Sequence, residues 1–464
     1  MKLKDLLNKL NIKINESVDI NILNVTSDSR KCHENTLYFN INKEYLTDAI
    51  NHNVKVIVSE NYIDHLDVLV IYVKDVKKFY YKALKAFYNI NNGYKIGVTG
   101  TCGKTTTVTL LYESLKLNNN DLLLISSNGN YTYTNKVENI YETKNTTPDI
   151  ETIYELIDKY NYDYIIIEAS SQGISNNRLE GINFDMCVFL NLSTDHLDYH
   201  KSISNYLSAK LNLFKKLSHN GVCLVNYHSK FKDLFNFDNI RTYTFGIGEG
   251  DYSIYYEEEG LEKMKVYFKD KYATTTLTGG YNAENISAVN GILNLLEINN
   301  RCLIDCLNNG FKVNGRFEVI NYHNNKIIID FAHTEKELEV LLNHVKKYKF
   351  NKRYIVIGCG GNRDKSKRPI FGKLSTNFAD RVIFTEDNSR NEATIDIIND
   401  MTSCLTKKNY TTILNRYDAI KEGIKLLNYN DVLLIIGKGI DKSYVYNKYL
   451  NDLEIVNEVI SCDD

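Results

Sequence analysis

A glycine-rich loop carries the strongest chemical signal in the sequence. From Gly97 to Thr107 it reads Gly-Val-Thr-Gly-Thr-Cys-Gly-Lys-Thr-Thr-Thr, after an apolar strand and before a helix predicted over residues 108–117. In this setting backbone N–H groups and the helix N-terminus attract phosphate oxygens, Lys104 reaches a β- or γ-phosphate, and the Thr105 hydroxyl ligates Mg²⁺. The general pattern would place glycine at Val98, so this loop departs from it at one position. The sequence predicts a site for nucleotide phosphates.

Apolar strands alternate with helical patterns along the chain, which is typical of mostly parallel, doubly wound sheets. Continuous apolar runs, as in parallel strands buried on both faces, lie at residues 54–58, 68–73, 94–99, 122–126, 164–168, 186–190, 222–226, 327–331, 354–358, 381–385 and 432–436. A helix is predicted over residues 76–88, and residues 242–280 have the pattern of a β-ribbon. We predict three α/β domains in series, over residues 1–91, 92–315 and 316–464.

Composition narrows the class of protein. The chain has 464 residues with 56 Lys plus Arg and 58 Asp plus Glu, so it lacks the basic excess of a protein that coats nucleic acid. No run approaches the ~18 apolar residues of a membrane span, and the N-terminus has no signal-peptide core. The nine cysteines form no paired motif, which argues against a disulfide framework or a zinc site. We therefore expect a cytoplasmic protein without nucleic-acid or membrane partners.

Further polar motifs follow the phosphate loop in order. They are Asn145-Thr146-Thr147-Pro148, Glu168-Ala169-Ser170-Ser171-Gln172-Gly173, residues 191–200, Tyr206-Leu207-Ser208-Ala209-Lys210, residues 280–285, Asn314-Gly315-Arg316, residues 330–334, residues 358–364, residues 367–369, Asp387-Asn388-Ser389-Arg390 and Gly437-Lys438-Gly439. In order and approximate spacing this set resembles the Mur ligase family over residues 95–445.

The resemblance implies a fold and an activity. The fold would be a small N-terminal α/β domain that binds UDP, a central phosphate-loop domain with a mostly parallel sheet, and a Rossmann-like C-terminal domain. The activity would be ATP-dependent amide-bond formation through an acyl phosphate, in which Mg²⁺ and the protein neutralise charge. The branch it resembles most adds meso-diaminopimelate to UDP-N-acetylmuramoyl-L-Ala-D-Glu in peptidoglycan synthesis, which serves cell shape and division. A monomer is expected.

The resemblance also assigns residues to ATP and the metal. The catalytic set would be Lys104, Glu168, His196, Lys210 and His333. The nucleotide would contact Gly100, Thr101, Gly103, Lys104, Thr105, Thr106, Asn282, Asn285, Arg316 and Asp330. Mg²⁺ would be held by Thr105, Glu168, His196 and a carbamylated Lys210, since carbamylation turns the ammonium into a carboxylate-like ligand. Glu168 and His196 follow successive predicted strands, where ligands bind in open α/β sheets.

The two substrates would be bound by other motifs. Positions that match those gripping the muramoyl dipeptide are Asn145, Thr146, Thr147, Ser170 and Arg178, and Ser29 belongs to a pentapeptide that resembles the uridine-diphosphate site. The incoming amino acid would contact Arg363, Asn388, Arg390, Gly437 and Asp441. An arginine can pair bidentately with a carboxylate, so Arg390 favours diaminopimelate, which has a distal carboxylate, over L-lysine.

Several positions depart from the family pattern. Cys102 replaces asparagine, Gln172 replaces histidine, Ser389 replaces proline, and Ile440-Asp441 replaces His-Glu. These changes leave open a ligase that adds L-lysine or another amine, or that uses a different carboxylate acceptor outside the cell wall. A non-catalytic ATP-binding paralogue is the third hypothesis. It is disfavoured because the motif residues that serve ATP and the metal are present.

Overall fold

The computed structural model describes residues 1–13, 19–64 and 68–462. Within these ranges the chain forms two compact units, one of residues 1–96 with 120–185 and the other of residues 97–119 with 186–464. The predicted N- and C-terminal domains include residues 14–18, 65–67 and 463–464, which lie outside the described residues. Helices and strands mix in both units, as expected for an α/β protein.

The N-terminal segment is built on a small parallel sheet. Its elements are α1 (Leu3–Lys9), β1 (Asn24–Thr26), β2 (Thr36–Phe39), α2 (Leu46–Asn51), β3 (Val56–Ser59), β4 (Leu69–Tyr72) and α3 (Val76–Phe87). The four strands pair in chain order, all parallel. Every residue of β2 and β3 is buried, which explains their continuous apolar character.

The next stretch contains the phosphate loop and the remaining strands of the first unit. Its elements are β5 (Tyr94–Thr99), α4 (Lys104–Leu117), β6 (Leu122–Ser126), β7 (Gly129–Thr134), β8 (Val137–Tyr141), α5 (Ile150–Lys159), β9 (Tyr164–Glu168) and α6 (Ser171–Ser175). Helix α4 begins at Lys104 and not at the predicted residue 108, because Gly103 in the left-handed conformation caps it. In the first unit β9 and β6 are parallel, whereas β6, β7 and β8 are antiparallel.

The hairpin β7–β8 was not predicted from the sequence. Its turn residues Asn135 and Lys136 both have positive φ, of 52° and 63°. A two-residue turn of this kind matches the twist of antiparallel strands, and it normally contains glycine. Here lysine occupies the second position, so the usual sequence signal is absent.

The second unit continues the α/β alternation and then becomes a ribbon. Its elements are β10 (Phe184–Phe189), α7 (Leu197–His200), α8 (Ile203–Phe214), β11 (Leu217–Asn226), β12 (Arg241–Ile247), β13 (Tyr252–Gly260), β14 (Lys263–Phe268), β15 (Lys271–Thr275), α9 (Gly280–Leu295) and α10 (Arg301–Asn308). Strands β11, β12 and β13 are parallel, and β13, β14 and β15 are antiparallel. The predicted β-ribbon is therefore present.

The C-terminal segment forms a six-stranded sheet. Its elements are β16 (Glu318–Tyr322), β17 (Asn325–Asp330), α11 (Glu335–Lys346), β18 (Arg353–Ile357), α12 (Lys367–Phe378), β19 (Arg381–Phe384), α13 (Thr394–Thr402), β20 (Tyr410–Thr412), α14 (Arg416–Lys425), β21 (Val432–Ile436), β22 (Ser443–Val445), β23 (Lys448–Leu450) and α15 (Asp452–Ser461). The strand order is β16-β17-β21-β18-β19-β20, and only β16 is antiparallel to its neighbour.

Apolar cores cover both faces of the C-terminal sheet. One of them includes Leu261, which lies at the tip of the β13–β14 hairpin and is 8% exposed. The loops that follow β17, β18, β19 and β21 leave the same end of the sheet, since these strands are parallel neighbours. This end therefore gathers the motifs that begin at Asp330, Gly358, Asp387 and Gly437.

Two further findings bear on the class of protein. All nine cysteines lie in the described part of the chain, and all are free thiols. None of the helices among the described residues is long and apolar enough to cross a membrane.

A buried ion pair ties α14 to α15. The Arg416 guanidinium donates from Nε and Nη2 to the Asp452 carboxylate at 2.7 and 2.8 Å, and both side chains are almost completely buried. Arg416 also donates to the carbonyl oxygens of Glu386, two residues beyond the end of β19, and of Ile436, the last residue of β21. The pair therefore fixes two of the loops that carry predicted site residues.

Replacing Asp452 with alanine would leave the Arg416 charge buried without its partner. We expect D452A to lower the free energy of unfolding by about 3–5 kcal/mol. Urea denaturation followed by circular dichroism measures this change. The matched control is E458A, because Glu458 forms a 2.9 Å ion pair with Lys448 at the surface. That variant should lose less than about 1 kcal/mol. Equal losses in the two variants would contradict the prediction.

Candidate active site

The phosphate loop turns sharply between β5 and α4. Gly103 has a φ of 84°, in the left-handed region that favours glycine. A Cβ atom at this position would collide with Oδ1 of Asn285 on α9. The Thr107 hydroxyl on α4 donates to the same Oδ1 at 3.3 Å. Glycine is therefore required by both the backbone conformation and the close approach of α9.

Three donors of the loop have partners within the protein in this structure. The Thr101 N–H is shared between the carbonyl oxygen and Oδ1 of Asn191 at 3.0 and 3.1 Å, and the Cys102 N–H donates to the same Oδ1 at 2.9 Å. The Lys104 ammonium donates to the carbonyl oxygens of Gly100 and Thr101 at 3.0 and 2.8 Å. Since these are the groups predicted to bind phosphate, an entering nucleotide would replace the Asn191 oxygen and the two carbonyls. Asn191 is a contact that motif spacing alone did not assign.

A cavity of about 430 Å³ adjoins the loop. The predicted nucleotide contacts among its lining residues are Gly103, Asn282, Asn285, Thr106, Arg316 and Asp330. Thr105 lies beside this group, since Nη2 of Arg316 is 3.5 Å from its hydroxyl. The structure therefore brings residues from α4, α9 and the C-terminal segment around one space. Lining residues not predicted from the sequence include Asn191, Tyr281, Phe317, Lys336 and Glu337.

Asp330 ends β17 at the edge of this cavity. Its two carboxylate oxygens accept the backbone N–H groups of Phe317 and Ala332 at 2.7 and 2.8 Å. Burial raises the pKa of Asp330 to about 6, although the Arg316 guanidinium acts in the opposite direction. Asp330 thus fixes the start of the C-terminal segment, and it keeps Phe317 and Arg316 at the cavity.

His333 and Glu337 form a charged pair at the start of α11. Nδ1 of His333 lies 3.1 Å from Oε2 of Glu337, and the backbone N–H groups of His333 and Thr334 also donate to this carboxylate. Burial disfavours both charges, but each charge stabilises the other, so the pKa of His333 is raised and that of Glu337 is lowered. The capping box of α11 contributes Glu337. Glu337, which sequence reasoning missed, therefore favours the charged form of the predicted catalytic histidine.

His196 lies in the loop between β10 and α7 with a φ of 53°. Its backbone N–H and its Nε2 both contact the Asp195 carboxylate, at 2.8 and 3.2 Å. Burial lowers the pKa of His196 to about 4, although Asp195 favours the charged form. At neutral pH the imidazole is uncharged, which is the form that binds metal.

Lys210 is almost completely buried on α8. Its Nζ donates to the Gly100 carbonyl at 2.6 Å and lies 4.3 Å from the centre of the Tyr206 ring. Burial, together with the nearby Lys104 ammonium, holds the pKa of Lys210 well below its usual range. The structure thus places an amine of reduced basicity directly beneath the phosphate loop.

The predicted metal ligands divide between the two units. Thr105, His196 and Lys210 belong to the second unit, and Glu168 belongs to the first. Among residues 1–13, 19–64 and 68–462 no group of three His, Cys, Asp or Glu side chains forms a metal cluster. A lysine ammonium has no lone pair for a cation, so Lys210 fits this donor set only as a carbamate, whereas Thr105 and Glu168 supply the oxygen donors that Mg²⁺ prefers.

In the first unit, the predicted acceptor-binding residues form a hydrogen-bonded group around β9. The Thr147 hydroxyl donates to the Glu168 carbonyl at 2.8 Å, and the backbone N–H of Ser170 donates to the Thr147 hydroxyl at 2.9 Å. Arg178 donates to the Thr147 carbonyl at 2.6 Å. The Ser127 hydroxyl contacts both Thr146 and the Glu168 carboxylate at 3.1 Å. The structure therefore brings these predicted residues together.

A second cavity, of about 610 Å³, belongs to the first unit. Its lining includes the predicted residue Asn145 and the side chains around Ser29, namely Ser27, Asp28, Arg30 and Lys31. Ser29 itself is buried in a short helical turn, where Asp28 accepts the Arg30 N–H. The structure thus places the predicted uridine-diphosphate segment beside Asn145.

The predicted amino-acid contacts lie on three loops of the C-terminal sheet. Asn388 donates from Nδ2 to the Asp441 carboxylate at 2.9 Å. Arg390 donates from Nη1 to the carbonyls of Gly361 and Asn388 at 2.7 and 3.3 Å. Gly437 has a φ of 115°, and a Cβ there would lie 3.0 Å from Asp387. Arg363 is exposed on the loop after β18, and its side chain passes close to Gly360.

These features define an α/β protein with a phosphate loop at the end of a strand and a nucleotide-sized cavity beside it. The Mur ligase middle domain matches residues 98–293, and the Mur ligase, glutamate ligase domain matches residues 315–439. The chain belongs to the Mur ligase family, because it also aligns over almost its full length with curated members.

Two relatives and two solved structures illustrate this membership. The relatives are the UDP-N-acetylmuramoyl-L-alanyl-D-glutamate–2,6-diaminopimelate ligases of Bacteroides fragilis, 34% identical, and Clostridium tetani, 30% identical, each alignment covering 99% of both chains. A solved structure of a ligase of that name has a TM-score of 0.63 at 23% identity, covering 100% of this chain and 99% of its own. The MurF ligase of Thermotoga maritima in complex with ADP has a TM-score of 0.67 at 17% identity, covering 95% and 97%. The structural similarities support the shared three-domain fold.

Replacing Gly103 with alanine should weaken nucleotide binding, because the new Cβ would displace the Asn285 side chain from its place beside the loop. We expect the affinity for ADP to fall at least tenfold, or about 1.4 kcal/mol. Isothermal titration calorimetry measures the affinity, and thermal unfolding reports the stability.

The matched control is G310A. Gly310 has a φ of 78°, but no atom lies within 4 Å of its added Cβ. This variant experiences the same backbone strain, about 1 kcal/mol, without the collision. Its affinity for ADP should equal that of the wild type. A similar loss of affinity in both variants would contradict the steric argument.

Proposed function

We propose that this chain is an ATP-dependent ligase that adds meso-diaminopimelate to UDP-N-acetylmuramoyl-L-Ala-D-Glu in the cytoplasm, as a step of peptidoglycan precursor synthesis. The observation that carries the proposal is the full-length similarity to relatives named for this reaction. The phosphate loop and the cavity of about 430 Å³ beside it support nucleotide binding. Monomeric function is part of the proposal.

The reaction requires an activated carboxylate and a free amine. ATP supplies a γ-phosphoryl group, which turns the acceptor carboxyl into an acyl phosphate that the amine attacks with release of phosphate. Lys104 and the N–H groups of Thr101 and Cys102 would bind the phosphate oxygens once they exchange their internal partners. His333, whose charged form Glu337 favours, would offset developing negative charge. Thr105, Glu168, His196 and carbamylated Lys210 would hold Mg²⁺.

Substrate recognition would use separate groups of side chains. Ser29 and the residues Asn145, Thr146, Thr147, Ser170 and Arg178 would bind the UDP-linked dipeptide. Arg363, Asn388, Arg390, Gly437 and Asp441 would bind diaminopimelate. Among the described residues, Arg390 donates to backbone carbonyls through its Nη1 alone. Its other N–H groups are therefore left for a distal carboxylate. The Asp441 carboxylate, steadied by Asn388, would accept the distal ammonium.

The test is ATP-dependent product formation followed by mass spectrometry. UDP-N-acetylmuramoyl-L-Ala-D-Glu is supplied with meso-diaminopimelate, L-lysine, L-ornithine or no amine. We expect a tripeptide product with diaminopimelate alone. The R390A variant should raise KM for diaminopimelate about tenfold or more, because a bidentate charged pair is lost.

The matched control is R381A, since Arg381 is an exposed arginine at the opposite end of β19. Its kinetics should equal those of the wild type. Product with lysine, but not with diaminopimelate, would assign the chain to a lysine-adding ligase. Absence of product with every amine, while ADP still binds, would favour a different acceptor.

Carbamylation of Lys210 gives a second test. The K210R variant keeps a long basic side chain but lacks an amine that reacts with CO₂. We expect isotopically labelled bicarbonate to give a carbamate resonance in the wild type that is missing from K210R, and turnover to fall about 100-fold or more. Exposed Lys215 at the end of the same helix provides the control K215R, which should behave like the wild type. An identical resonance in wild type and K210R would contradict the assignment.

A further inference from the structure

Glu151 is a buried acidic residue that none of the motifs contains. It lies in the first turn of α5, and the residue is 7% exposed. Its carboxylate accepts hydrogen bonds from groups distant in sequence: the Thr26 hydroxyl at 2.8 Å, the Ser27 backbone N–H at 3.0 Å, the Lys31 ammonium at 3.0 Å and the Tyr80 hydroxyl. A single carboxylate thus ties α5 to three parts of the N-terminal segment.

These donors surround the segment from Thr26 to Lys31. Thr26 ends β1, Lys31 ends the short helical turn after it, and Tyr80 lies behind on α3. The Thr26 hydroxyl also accepts the backbone N–H of Asp28 at 3.0 Å, so the contact with Glu151 reaches the next residues of the segment. Both ends of the segment are therefore anchored on one carboxylate.

The anchored segment forms one side of the cavity of about 610 Å³. Ser27, Asp28, Arg30 and Lys31 of the segment line it together with Asn145 and with Glu151 itself. Arg30 is oriented by a two-point contact with the Asp28 carboxylate at 2.9 and 2.7 Å. The width of the cavity and the positions of its cationic side chains thus depend on where Glu151 holds the segment.

We propose that Glu151 is a positioning residue for the nucleotide-sugar half of the acceptor: it holds the Thr26–Lys31 segment in its binding geometry through buried hydrogen bonds. This inference rests on the proposed function. It assigns to Glu151 the affinity for a uridine diphosphate group, and no part in phosphoryl or acyl transfer. A carboxylate suits this position because its two oxygens can accept from all of these donors at once, whereas an amide of the same size offers one acceptor oxygen.

The E151Q variant separates this role from a general structural one. Its amide cannot accept from every donor, so buried donors lose their partners and the segment shifts. We expect KM for UDP-N-acetylmuramoyl-L-Ala-D-Glu to rise at least about fivefold. Turnover, and KM for ATP and for diaminopimelate, should stay within about twofold of the wild type. Calorimetric titration with UDP should show a similar loss of affinity, and titration with ADP should show none.

The control is E155Q, because Glu155 lies on the same helix with its side chain exposed. It should match the wild type in every measurement. If E151Q fails to fold, Y80F removes one donor and should shift only the UDP measurements, by a smaller factor. Equal UDP affinity in E151Q and wild type would overturn the inference, as would a uniform change in all kinetic constants.

The outcomes distinguish this inference from the proposed function. Absence of tripeptide product from the wild type would overturn the proposed function. The UDP titration would still decide the role of Glu151, because it requires no turnover. An active wild type whose UDP-substrate KM is unchanged in E151Q would overturn the positioning role alone.

Discussion

The missing side chain at Gly103 allows the first turn of α4 to lie directly against Asn285 of α9. This contact places Asn282 and Asn285 beside the phosphate loop, and it brings Arg316 within reach of Thr105. The cavity exists because three separate stretches of chain meet at this point. A larger residue at position 103 would displace the Asn285 side chain from the loop.

The phosphate loop also illustrates how a binding site is stabilised before its ligand arrives. Asn191 supplies an oxygen to two loop N–H groups, and loop carbonyls accept from Lys104. Unpaired buried donors are costly, so these internal contacts keep the loop folded. Phosphate oxygens must form stronger hydrogen bonds with the loop than these internal partners do. In the His333–Glu337 pair the carboxylate likewise offsets part of the cost of burying a charged imidazole.

Local patterns predicted much of this architecture, and long-range contacts explain what they missed. The apolar runs at β6, β9 and β21 identified strands because parallel strands buried on both faces need them. The β7–β8 hairpin was not predicted because Lys136, and not glycine, occupies a turn position with positive φ. Six of the ten residues that the motifs assigned to the nucleotide line the cavity of about 430 Å³. Glu337 and Glu151 remained hidden, since their importance comes from partners that folding brings together: Thr26 and Glu151 are 125 residues apart in the chain.

The position of Leu261 has a consequence for how this protein folds. Its side chain is part of the hydrophobic core that covers one face of the C-terminal sheet, yet it comes from the tip of the β13–β14 hairpin. Nearby, the Lys347 ammonium binds the carboxylate of Glu258 on that hairpin at 3.0 Å. A chain that began at residue 316 would therefore have a gap in its core and an unmatched charge at its surface. We therefore expect the C-terminal sheet and the ribbon before it to unfold together, because they share this core.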